Sequence, residues 1–139
     1  ADGGFMSRVI DTESAGKKRT QLSKAILLAI RELMKQPEPG ELSQDLAAFI
    51  ALSAQEISRT VDMSVQAWEK RGYWVKADRF RLEWEWADFL GKSMEQAVKQ
   101  EDWSQIAMIS VKIAQKLNKV KVPVKNRIGT PWVGARKSI

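Results

Sequence analysis

The chain has 139 residues, 44% of them apolar and 29% charged, a balance that fits one globular domain with a sizeable core. It holds neither cysteine nor histidine, which excludes disulfides, thiolate metal centres and any nucleophile system built on cysteine or histidine. The formal charge of +6 belongs to the C-terminal end. Lys119, Lys121, Lys125, Arg127, Arg136 and Lys137 stand there without an acid and are six of the 23 basic residues, so the rest of the chain holds 17 of each sign.

Ala1-Asp2-Gly3-Gly4-Phe5 ahead of Met6 reads as a tag, with Met6 the natural start and residues 1–13 a flexible arm. The first helix is expected over 14–36, where Leu22, Ile26, Ala29 and Leu33 recur at steps of three and four until Pro37, Pro39 and Gly40 stop it. Ala25 to Ile30 is apolar on every side, which predicts a place in the middle of the core. Lys17, Lys18 and Arg19 oppose the positive end of the helix dipole. Either the helix starts later, capped by Thr20, or this cluster serves an anionic partner.

A second helix is expected from an N-cap at Ser43 to Arg71, where Gly72 suits the left-handed end position. Its core stripe is Leu46, Ile50, Ser53, Ile57, Val61, Ser64 and Trp68, and the small residues in it imply close helix approach. A third helix spans about 75–100. A fourth spans 103–120, opened by Asp102 and Gln105 in a capping-box spacing and carrying Ile106, Ile109, Ile113, Leu117 and Val120. These elements predict an all-α, antiparallel four-helix bundle over 14–120, followed by an extended basic tail over 121–139 that packs on the bundle or on a partner.

Seven of the eleven aromatic residues fall between 68 and 89. On an unbroken third helix, Phe80, Trp84, Ala87, Gly91, Met94 and Val98 form one stripe, while Leu82, Trp86 and Phe89 lie on the other side. A simple bundle buries only one face per helix. The second face therefore calls for a cover: a second subunit, which is the first expectation, the folded-back tail, or a ligand. The same segment carries five basic and five acidic residues, too neutral to attract phosphate, so the rings are read as core or interface rather than as a base-stacking platform.

Glycines with nucleotide-loop spacing are missing, and carboxylates with Mg²⁺ are the chemistry that remains. Glu83-Trp84-Glu85-Trp86-Ala87-Asp88 resembles the acidic pairs of all-helical nucleotide pyrophosphatases of the MazG kind, which implies Mg²⁺ held between adjacent helices and makes a phosphohydrolase using Glu56 and Glu83 the enzymatic alternative. Against that stands the ordinary reading: Glu85 and Asp88 as surface charges paired with Arg81 and Lys92, and Glu83 paired with Arg79. The tail alternates basic and apolar residues around Pro123, as an extended segment would. The leading expectation is a non-catalytic binding or scaffolding protein, homodimeric through Leu82, Trp86 and Phe89. It would use no cofactor and no metal. Lys17, Lys18, Arg19, Lys121, Lys125, Arg127, Arg136 and Lys137 would contact an anion, nucleic acid first and an acidic protein second. A structural subunit of a larger assembly is a further alternative. The longest apolar run, Leu46 to Leu52, falls well short of the ~20 residues that cross a bilayer, and a cytoplasmic location is expected.

Overall fold

The computed structural model describes residues 12–125 and 128–139, with the side chains of residues 12 and 13 outside the description. The expected arm over 1–13 thus falls almost wholly outside it, as does Arg127. Five α-helices follow one another: α1 Thr12–Met34, α2 Glu41–Lys70, α3 Trp74–Trp84, α4 Trp86–Lys99 and α5 Trp103–Lys116. A 3-10 turn over Ala135–Ser138 closes the chain. Among the described residues there is no strand, and no helix is long and apolar enough to cross a membrane.

The helix α2 is the common support, touching α1, α3, α4 and the terminal turn, while α5 rests mainly on α4. It can do so because apolar and small residues occupy more than one of its faces. Leu46, Ile50, Ser53, Ile57, Val61 and Ser64 are buried as the stripe requires, and Ala47, Ala48, Ala51 and Ala54 are buried beside them. Ile26, Leu28 and Ala29 of α1, Met94 and Val98 of α4, and Ile106, Ile113 and Leu117 at α5 complete the core.

The ends of the helices show what the chain uses as punctuation. α2 starts three residues earlier than its hydroxyl suggests: Gly40 holds the cap position in extended backbone, and the Ser43 hydroxyl instead donates to the Glu38 carbonyl at 3.5 Å. At the other end Gly72 adopts φ 81°, and the amides of Gly72 and Tyr73 donate to Glu69 O and Trp68 O, the paired closing bonds of a Schellman motif. The Asp102 carboxylate caps α5 by accepting from the Gln105 amide at 3.2 Å, and α5 ends at Lys116, short of the expected Val120.

One long third helix does not form as such. It divides at Glu85, whose φ −62° and ψ −23° remain helical, so the backbone bonding is interrupted without a Gly or Pro. Residues two apart on an unbroken helix point nearly opposite ways. Here Trp84 and Trp86 bring their ring centroids within 5.8 Å, with Trp86 only 8% exposed. Trp86 is buried and Trp84 half-buried, and this corrects the expectation that Trp86 lies on an uncovered face with Leu82 and Phe89.

The alternating stretch over 120–123 has no helix or turn, whereas the end of the tail, over 131–138, coils against α2. Trp132, 3% exposed, sets its ring edge-on to Phe49 of α2 at 6.2 Å. The Asp45 carboxylate accepts from the amides of Gly134 (2.9 Å) and Arg136 (3.0 Å), and the 3-10 turn follows. Val124 and Val133 stay exposed.

Candidate functional site

Leu82 near the end of α3 and Phe89 on α4 remain 65% and 70% exposed. They flank a groove of about 520 Å³ whose floor includes Trp86 and Leu90 and whose far wall is α5, with Lys112 and Lys116. Met108 and Val111 of α5 are exposed as well. The tail meets Phe49 and Asp45 of α2 and Arg31 of α1, which donates to the Pro123 carbonyl at 3.1 Å, while Leu82 and Phe89 stay exposed. The tail therefore does not cover Leu82 and Phe89.

The two walls of the groove differ in charge. Glu85 stands at the α3–α4 break, Lys112 and Lys116 on α5, and none of the three joins an ion pair among the described residues. Arg81, expected to pair with Glu85, reaches back instead to Glu69 at 2.6 Å and Asp78 at 2.7 Å, because α3 lies along the end of α2. These hydrogen bonds hold the Arg81 guanidinium above its ordinary pKa. Asp88 and Lys92 do pair, at 3.1 Å, whereas an Arg79–Glu83 pair does not form.

The basic residues proposed for an anion separate into different environments. Lys17 is exposed. Lys18 donates to Glu56 of α2 at 2.9 Å. Arg19 is buried, 7% exposed, with its guanidinium 4.7 Å from the Phe80 ring centroid and one nitrogen donating to the Ser64 hydroxyl at 3.0 Å. The run Lys17-Lys18-Arg19 thus does not form one solvent-facing cluster. Spacing held a signal for this: stepping back from Leu22 by three and then four reaches Arg19 and Ala15, so Arg19 lies on the core stripe of α1. Lys119, Lys121, Lys125 and Lys137 are exposed, and Arg136 is half-buried where the turn meets α2.

Glu56 lies far from the free carboxylate a metal centre needs. Its two oxygens take Lys18 and Arg59. Burial pushes this carboxyl up, but hydrogen bonds and charge from Lys18 and Arg59 outweigh that and hold it below the ordinary range. No group of three or more acidic residues with metal-site geometry occurs among the described residues. A depressed folded-state value means that this pairing stabilises the fold above the unfolded carboxyl value of ~4.3 and is lost as pH falls through the lower folded value. Urea unfolding should therefore show stability declining from about pH 5 toward pH 3, with a shallower decline in Glu56→Gln. Equal slopes in the two proteins would refute this.

Comparison of the chain with protein-family models, with curated proteins and with solved structures gives no match.

Proposed function

We propose that this chain is a non-catalytic helical scaffold that associates with a second copy through the α4–α5 groove. The observation that carries the reading is the exposure of Leu82 and Phe89 beside a groove whose walls bear unpaired charges of opposite sign. Leaving large apolar side chains in water forgoes roughly 1.5–3 kcal/mol each. A two-fold axis at the groove sets Glu85 of one copy opposite Lys112 and Lys116 of the other, a self-complementary arrangement. Light scattering on the purified chain should give twice the monomer mass of 15.7 kDa, and Phe89→Glu should return it to monomer with unchanged helicity. A wild-type monomer at high micromolar concentration would overturn the proposal.

A second element of the same reading is contact between the tail and an anionic polymer, nucleic acid first. Its support is that Lys119, Lys121, Lys125 and Lys137 are exposed and form no ion pair among the described residues. Fluorescence polarisation at low salt should detect duplex DNA binding. Replacing the four lysines with alanine should weaken it and reduce the slope of log affinity against log salt by about 3–4, since each phosphate contact contributes ~0.9. An affinity indifferent to those lysines would remove nucleic acid from the reading.

A further inference from the structure

The turn between α2 and α3 is exposed without interruption from Lys70 to Lys76. Tyr73, Trp74 and Val75 stand in the middle of that run, 51%, 60% and 64% exposed. Their backbone is fixed on both sides: the Tyr73 amide donates to the Trp68 carbonyl at 2.9 Å, and the Tyr73 carbonyl accepts from the amide of buried Ala77 at 3.0 Å. Isolated apolar side chains in water are ordinary, whereas three in a row on a fixed turn are a patch. Of the six tryptophans, Trp74 alone is exposed.

The fold also sorts the charge around this turn. The aromatic segment as a whole is balanced, but residues 70–79 hold Lys70, Arg71, Lys76 and Arg79 against one acid, Asp78. Asp78 and the preceding acid, Glu69, are both taken by Arg81, at 2.7 and 2.6 Å. Lys70, Arg71, Lys76 and Arg79 are exposed, and none of them joins an ion pair among the described residues. Lys76 lies over the Trp68 ring, 4.5 Å from its centroid, which keeps the ammonium beside the turn. The result is an apolar tip ringed by four cations without a carboxylate.

Tyrosine and tryptophan favour the boundary layer of a bilayer, where the ring and its polar end are both satisfied, and lysine and arginine are drawn to anionic headgroups. A base-stacking partner would use the two ring faces and leave Val75 idle. A lipid layer takes up all three side chains and moulds itself around a protruding tip.

We infer that the α2–α3 turn is a docking site for an anionic bilayer surface, with Tyr73, Trp74 and Val75 entering the headgroup layer and the four cations lying on headgroup charges. The contact is independent of the α4–α5 groove and of the tail.

The probes are vesicles of phosphatidylcholine containing about one-third phosphatidylserine and vesicles of phosphatidylcholine alone. The full chain should co-sediment with the anionic vesicles at lipid concentrations up to about 1 mM and bind the neutral ones at least about tenfold more weakly. Trp74→Ser should reduce anionic binding roughly tenfold. Lys70→Gln with Arg71→Gln should reduce it roughly 25-fold, about fivefold for each cation. These positions are exposed, so helicity should stay at the wild-type value. Brominated lipid should quench wild-type emission on binding, and Trp74→Phe should still bind while losing most of that quenching. Replacing Lys119, Lys121, Lys125 and Lys137 with alanine should leave binding within about threefold, since salt screens charges distant from the contact. No binding to anionic vesicles, binding indifferent to Trp74→Ser, or binding lost with the tail lysines instead would each overturn the assignment. So would Trp74-dependent binding of an oligothymidylate in place of vesicles, which would make the turn a single-stranded nucleic-acid site.

Discussion

Gly91→Val should lower the free energy of unfolding by roughly 1–3 kcal/mol, the usual range for overpacking, because α4 passes α2 at this residue with no room for a side chain. A Cβ at Gly91 would lie 2.9 Å from Gln55 Cγ, 3.1 Å from the Ala51 carbonyl oxygen and 3.1 Å from Ala54 Cβ. The first neighbour belongs to a side chain, but Gln55 is tied down on both sides: its amide donates to the Gly91 carbonyl at 3.3 Å and to Glu95 at 2.8 Å. The other two are backbone and the stub of an alanine, which move only with the helix. Branching at Cβ adds crowding to an already short approach. Gly16 supplies the contrast, since Gly16→Ala at an open helical position should stabilise by about 0.5–1 kcal/mol. Urea unfolding followed by circular dichroism measures both, and a Gly91→Val protein as stable as wild type would show that α2 and α4 are not in close contact there.

Trp132→Ala is expected to cost about 3 kcal/mol, the lower part of the range for removing a buried aromatic side chain, and to free the last twenty or so residues. The indole is nearly fully buried against Phe49 and is the largest buried side chain of this segment, which is also held by the two amide bonds to Asp45 and by Arg31 on the Pro123 carbonyl. Losing the ring exposes Phe49 and removes the main apolar contact of the segment. Limited trypsin digestion should then cut rapidly after Lys121 and Lys125, sites that are exposed already but sit in a segment fastened at its far end. Asp45→Asn should act in the same direction and more weakly, since an amide retains one acceptor oxygen where the carboxylate has two. Unaltered stability and digestion in Trp132→Ala would mean that the docked turn contributes nothing to the fold.

The helices and most of their ends were legible because they depend on neighbours in the chain. The α2 stripe, the left-handed Gly72 and the Asp102 cap all follow from spacing over a few residues. What could not be read depends on residues far apart. Helical arithmetic presumes an unbroken helix, and no glycine or proline warns of the interruption at Glu85 or of the burial of Trp86 beside it. The run Lys17-Lys18-Arg19 looks uniform, yet the ring waiting for Arg19 is Phe80, sixty-one positions on. Alternation in the tail suggested extended structure, whereas its end coils where it meets Phe49 and Asp45 of another helix, partners that lie more than eighty positions back. Leu82 and Phe89 were recognisable as surplus apolar surface, but the groove they border needs α5 as its other wall.

The bonds from Asp45 to Gly134 and Arg136 join positions 89 and 91 residues apart, and that separation has a kinetic meaning. α1 meets α2 across a short turn, so their contact closes a small loop and is entropically cheap to form early. The terminal turn can find its place only after most of the chain has assembled beneath it. It is therefore the last part to settle and the first to leave, a latch rather than a strut. Amides of Gly134 and Arg136 should exchange with solvent deuterium through local opening, well before those in the middle of α2, which exchange only when the whole domain unfolds.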